Sequence, residues 1–293
     1  MIWLVGNKGM LGTEVERELS TATLEYVATD MDCDITNPSA GRDQLASSGA
    51  SWVVNCAAYT NVDGAEDDEE TAFRINANAV ENLAGACRDH GAALLHLSTD
   101  YVFGGERAEP YEPDDEMNPI GAYGRSKAEG ARQVREKLAK HIIIRTAWLY
   151  GRNGKNFVST MLRLFESKDE LTVVSDQHGS PTYAVDLARA VVRILAAGAG
   201  DGSVQFGTYH FTNEGRTTWY EFACEIQRQA AAAGMIDREI PIRPVPSSEY
   251  PTRAKRPTYS YLSKEAIKSA FDLAIPDWQD ALARYLEELR RTT

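Results

Sequence analysis

Ile2-Trp3-Leu4-Val5-Gly6-Asn7-Lys8-Gly9-Met10-Leu11-Gly12 is the stretch that decides the fold. Four apolar residues suit a short strand buried on both faces, and three evenly spaced glycines follow them. From Met10 to Leu19 the apolar residues Leu11, Val15 and Leu19 then recur every four positions, the spacing of a helix face. A strand that turns through glycines into a helix gathers free N–H groups and the positive end of the helix dipole at one point, which suits a pyrophosphate. Gly6, Gly9 and Gly12 therefore read as a phosphate cradle. The spacing is G-x-x-G-x-x-G rather than G-x-G-x-x-G, and no Gly-Lys-Ser/Thr closes it as in an ATP-type P-loop.

Outward from this junction the rhythm repeats. Tyr26–Ala28, Trp52–Asn55, Ala93–Leu97 and His141–Ile144 read as strands, and Thr71–Arg88 and Ala122–Leu138 as helices between them. Alternation of this kind predicts an α/β fold: a Rossmann-like, doubly wound parallel sheet with a smaller, mostly helical substrate-binding cap. The expected division is residues 1–152 for dinucleotide binding, with segments in 181–213 rejoining the sheet, and 153–180 plus 214–293 for the cap. In that second half Asn156–Phe165, Tyr183–Ala197, Thr217–Ala233 and Trp278–Arg290 read as helices and Gly207–Thr212 as a strand, while Ile240–Pro257 is proline-rich and basic.

Composition narrows the function. With 293 residues the chain can bury a large core without disulfides or a structural metal. Its 31 Lys and Arg against 43 Asp and Glu, net −12, set a field that repels phosphate backbones and anionic membranes, so neither nucleic acid nor membrane is expected as a partner. Cys33, Cys56, Cys87 and Cys224 form no C-x-x-C pair and read as buried thiols of a reducing compartment. No apolar run reaches membrane-spanning length and the first residues do not resemble a signal peptide, which gives a cytoplasmic expectation. The five histidines show no metal-ligand spacing, so no metal is assigned.

Three further features carry chemistry. Asp30 closes the second strand, where a carboxylate accepts from ribose hydroxyls and repels a 2′-phosphate; this tilts the cofactor, NADPH or NADH, towards NADH, with Asp32 and Asp34 as alternative acids. Tyr123 and Lys127, at i and i+4 of a helix, share a face. An ammonium and an oxidised nicotinamide would both pull the phenol down from its free value of about 10, letting it give a proton to a carbonyl oxygen. Upstream, Leu97-Ser98-Thr99-Asp100 places hydroxyls at a strand end, where one can hydrogen-bond that carbonyl. The run Arg253, Lys255, Arg256 offers cations to a substrate diphosphate that the acidic surface would otherwise repel. Gly104–Gly121 reads either as a lid or as a solvated loop, and Trp219 as cap core rather than a stacking platform.

The glycine run, Ser98-Thr99-Asp100-Tyr101-Val102-Phe103 and the Tyr123/Lys127 pair resemble the extended short-chain dehydrogenase/reductases. Arg145–Tyr150, Asn156–Val158, Asp176–Thr182, Thr217–Tyr220 and Tyr250–Pro257 extend the resemblance to the branch that reduces dTDP-linked 4-keto-6-deoxy sugars such as dTDP-4-dehydro-L-rhamnose. The resemblance implies Thr99, Tyr123 and Lys127 as the catalytic group, with Tyr123 the proton donor. It implies sugar-nucleotide contacts at Thr99, Asp100 and Trp148. It implies dinucleotide contacts at Gly9, Met10, Leu11, Asp30, Asp34, Ile35, Ala57, Ala58 and Tyr59, and Lys127 on the nicotinamide ribose. Some members are metal-bridged dimers with a glutamate ligand where Glu14 stands; the second acid, sought in Thr182–Asp186, does not align, so the metal is left out and a homodimer is compatible. Relatives on this scaffold frame the rivals. A 4,6-dehydratase needs an acid where Tyr101 stands, a 4-epimerase usually has a serine-rich strand end, and a non-catalytic regulatory subunit would not need the full Thr99, Tyr123 and Lys127 set. A reductase or epimerase for a different nucleotide sugar stays open.

Overall fold

The computed structural model describes residues 1–199 and 204–292. Residues 200–203 of the stretch expected to rejoin the sheet, and residue 293 of the expected cap, lie outside them. The first half runs β1 (Ile2–Val5), α1 (Met10–Thr21), β2 (Tyr26–Thr29), α2 (Pro38–Ser48), β3 (Trp52–Asn55), α3 (Gly64–Asp67), α4 (Glu69–Phe73), α5 (Ala79–His90), β4 (Ala93–Thr99), α6 (Ala122–Lys137) and β5 (His141–Thr146). The second half runs β6 (Leu149–Tyr150), α7 (Phe157–Ser167), β7 (Leu171–Val174), β8 (His178–Gly179), β9 (Thr182–Tyr183), α8 (Ala184–Ala199) and β10 (Gly207–His210). It continues with β11 (Thr217–Thr218), α9 (Trp219–Ala232), β12 (Ile242–Val245), α10 (Glu265–Phe271) and α11 (Trp278–Thr292).

Six strands pair in parallel in the order β2-β1-β3-β4-β5-β10. Alternate side chains leave opposite faces of a strand. Leu4, Val54, Leu95 and Ile142 therefore pack under α1, α8 and α10, while Trp3, Val53, Leu94 and Ile143 pack under α2, α5 and α6. Helices on both faces make the doubly wound sheet expected from the apolar runs. The chain leaves β1 for β2 on one side and returns to β3 on the other, so a crevice opens beyond the carboxyl ends of β1 and β3. A separate apolar cluster, with Tyr150, Phe165, Phe222 and Leu282 at its centre, joins α7, α9 and α11.

The structure departs from expectation in several places. The helix read over Thr71–Arg88 is interrupted by a π-helical turn at Arg74–Asn78 between α4 and α5. Helix α2 was not expected, because only Gly41 and Leu45 are buried along it. The proline-rich stretch contains β12, which pairs in parallel with β7 despite Pro244; in a two-stranded pair one edge needs no donor. All four cysteines are free, but only Cys87 is buried and the other three are half-buried.

Candidate active site

The turn after β1 is shaped by excluded volume. Gly6 has φ +78°, and a Cβ on it would fall 2.7 Å from the backbone nitrogen of Ala57. A Cβ on Gly12 would overlap the Gly6 carbonyl oxygen. These two glycines let α1 begin directly against the loop after β3. Gly9 is the N-cap residue, with no side-chain cap and no acid in the first turn of α1. The first N–H groups of that helix, those of Met10 and Leu11 included, thus keep their affinity for an anion. Asp30 stands at the end of β2 and accepts from the backbone N–H of Lys8, at 3.2 Å, and of Met31. Asp32 accepts from Asp30 N–H and Asp34 from Thr36 N–H and hydroxyl, and both acids lie below the usual carboxylate range because of those bonds. Ile35 is buried in the core beside Trp3 and Val5.

Asn55 closes β3 and accepts from Ala57 N–H, fixing the path of Ala57, Ala58 and Tyr59. The side chain of Asn76, wholly buried in the π-helical turn, brackets Tyr59 by accepting from its N–H and donating to its carbonyl. It also donates to the Ser126 hydroxyl, which in turn donates to the Tyr123 carbonyl. One amide thereby links the loop after β3 to the helix of Tyr123 and Lys127. Sequence reading missed Asn76 and Ser126. Their signal was a carboxamide inside an apolar helix pattern and a hydroxyl within Tyr123-Gly124-Arg125-Ser126-Lys127. Gly124 matters as well, since a Cβ there would overlap the Tyr101 carbonyl and push α6 off the end of β4.

Thr99 and Tyr123 meet at the carboxyl end of β4. Burial is the largest effect on the Tyr123 phenol and pushes it above its ordinary value, with buried Asp100 adding to the rise, although Thr99 lies close enough to draw it down. Lys127 does not counter this: its Nζ, 2% exposed as a residue, donates to the Leu97 carbonyl at 2.6 Å. The protein's own groups thus raise the Tyr123 phenol, while the expected depression was for the ammonium together with a bound, oxidised nicotinamide. Burial brings the Lys127 amine down to about 8. Asp100 accepts from the Thr99 hydroxyl, is pushed up to about 6 by burial, and has a second oxygen, Oδ2, buried without a partner.

Tyr101 lies edge-on to Tyr123, ring centroids 5.5 Å apart, and the Arg256 charge acts on its buried hydroxyl. Trp148, just after β5, has φ +49°, a left-handed backbone rare for a bulky residue, and stacks on Trp219 at 3.7 Å. Gly104–Gly121 is neither a free lid nor a solvated loop throughout: Tyr111 stacks on Phe103 at 4.1 Å, and buried Arg145 donates to the Pro113 carbonyl. Glu14 sits against Arg17 at 2.7 Å, and no group of three potential metal ligands occurs among the described residues. No helix among them is long and apolar enough to cross a membrane.

The family model described as the RmlD substrate binding domain matches residues 1–291. The chain is 39% identical to a dTDP-4-dehydrorhamnose reductase of Aggregatibacter actinomycetemcomitans, covering 95% of this chain and 96% of the relative. It is 41% identical to a probable dTDP-4,6-dihydroxy-2-methyloxan-3-one 4-ketoreductase of Streptomyces antibioticus, over 96% and 93% of the two chains. Among solved structures, a dTDP-4-dehydrorhamnose reductase of Bacillus anthracis in complex with NADP superposes with a TM-score of 0.90, at 36% identity and 98% coverage of each chain.

Proposed function

The chain belongs to the family of the RmlD substrate binding domain, and from that premise we propose that it is a reductase acting on C4 of dTDP-4-dehydro-L-rhamnose to give dTDP-L-rhamnose. The observation that carries the reading is the placement of Tyr123 beside Thr99 at the carboxyl end of β4, with the Lys127 ammonium on the Leu97 carbonyl, one strand from the crevice between β1 and β3. A nicotinamide dinucleotide supplies hydride when bound. The chain's residues fit it: Gly6 brings backbone against Ala57, the uncapped start of α1 meets the pyrophosphate, and Asp30 receives a ribose hydroxyl. Lys127 has ammonium hydrogens beyond the one given to Leu97, and these would hold the second ribose.

At the sugar, Thr99 turns its one hydroxyl proton from Asp100 to the C4 oxygen, and Tyr123 passes its proton to that oxygen as negative charge builds there. A phenol raised by burial keeps its proton until the alkoxide, a far stronger base, appears. Until the sugar binds, Asp100 holds the Thr99 hydroxyl; Trp148 walls the sugar, and Arg256 meets the diphosphate. Asp30 favours NADH over NADPH, although Lys8, whose charge acts on Asp32, is a cation within the same corner.

One assay tests the reading. Purified protein with dTDP-4-dehydro-L-rhamnose should oxidise NADH faster than NADPH, with dTDP-L-rhamnose identified by NMR as product. Tight dinucleotide binding without turnover would overturn it in favour of a regulatory subunit. The Streptomyces relative supports a second reading, reduction of a different 4-keto sugar, which the same assay separates by offering that sugar.

A further inference from the structure

Arg256 is half-buried and uses only Nη2 in a hydrogen bond, so its Nη1 is a donor to spare. What aims it is an acidic turn on the other side of the crevice. Asp63, beyond Ala57–Tyr59 on the dinucleotide side, uses its two carboxylate oxygens on two groups of the sugar-side segment. One accepts from Nη2 of Arg256 at 3.1 Å and the other from the Ala254 backbone N–H at 3.1 Å. One helical turn on, Asp67 pairs with Arg253. Between them Glu66 accepts the N–H of Ala122 at 2.8 Å, replacing the cap that Gly121 has no side chain to provide, one residue before Tyr123.

A carboxylate beside a diphosphate site raises the local negative charge, and by charge alone it would weaken binding. Its contribution is therefore orientation: a long side chain held at one end loses less freedom when its free donors meet an anion. We propose that Asp63 is a positioning residue, holding Arg256 for the nucleotide-sugar diphosphate and joining segment 253–257 to the dinucleotide-side loop 57–63. The proposal rests on the reading of Arg256 as the diphosphate contact.

The two signs differ, so steady-state kinetics decide. Asp63→Ala should raise KM for dTDP-4-dehydro-L-rhamnose about tenfold, the scale of one charge-assisted hydrogen bond, with kcat and KM for NADH within about twofold of the parent. Asp63→Asn keeps an acceptor oxygen and should recover most of the loss. Arg256→Ala should show a similar rise, and the double variant Asp63→Ala/Arg256→Ala should be no worse than Arg256→Ala alone. An unchanged or lowered KM in Asp63→Ala while Arg256→Ala raises it, or additive losses in the double variant, would overturn the positioning role and leave the diphosphate reading standing. An unchanged KM in Arg256→Ala would remove both.

Discussion

The turn after β1 and the group around Tyr123 lie at the same end of one sheet, with only β3 between their strands, yet different forces hold them. In the turn most of the deciding contacts are near in sequence, the Gly12 position against the Gly6 carbonyl and the Thr13 hydroxyl on the carbonyls of Asn7 and Gly9, with Gly6 against Ala57 the exception. The Tyr123 group is assembled from far away. Lys127 reaches Leu97 across 30 positions, Asn76 reaches Ser126 across 50, Glu66 reaches Ala122 across 56 and Asp63 reaches Arg256 across 193. The first region rests chiefly on the absence of side chains at Gly6 and Gly12. The second needs the rest of the fold complete, because these four hydrogen bonds join elements that meet only after the sheet has formed. A cofactor seat built from steric permission therefore abuts a proton-donating site built from long-range polar ties.

Three experiments break or sharpen that contrast. Tyr123→Phe removes the donated proton but no packing volume, so it should cost at least ~100-fold in kcat while dinucleotide affinity, measured by fluorescence titration, stays near the parent. A variant at near-full rate would show that the two regions do not divide labour in this way. Gly12→Ala should destabilise the protein by about 2 kcal/mol in urea unfolding, the usual cost of overpacking, and weaken NADH binding with it. Gly9→Ala is the control, since a Cβ there meets only the Gly6 carbonyl at 3.4 Å; equal damage from both would remove the steric account. The third is a pH series. Burial lowers the Lys127 amine to about 8, so kcat/KM should bend downward above that pH and approach a tenfold loss per unit. The stability effect has the opposite sense. The folded-state value lies below the unfolded one of about 10.4, so the penalty for burying the ammonium is full below pH 8 and fades as pH rises from there towards 10.4. A flat rate profile between pH 7 and 9 would show that the ammonium is not the working form.

The same division explains what could be read from residues alone. The sheet and its first junction are written in short apolar runs and glycine spacing, so β1, β3, β4, β5 and α1 follow from sequence. Helix α2 was hidden because its polar surface leaves almost no apolar stripe, although Asn37 before Pro38 is a usable start signal, the asparagine accepting from Ser39 N–H. Strand β12 was masked by its own proline. In the candidate site, Tyr123, Lys127 and Thr99 stand in local patterns and could be singled out. Asn76, Glu66 and Asp63 could not, because nothing near them in the chain announces a partner fifty or more positions away. The raised phenol of Tyr123 was equally illegible, since its causes are burial and the nearness of Asp100 and Tyr101.

Trp148 combines two demands that oppose each other. Its left-handed backbone holds of order 1–3 kcal/mol of strain that glycine would release at once, while its indole, pressed on Trp219, is the surface proposed to face the sugar. Selection for a sturdier chain and selection for a faster one therefore pull this position in opposite directions. A glycine found there in a thermally hardened variant would be the mark of an enzyme that had traded turnover for endurance.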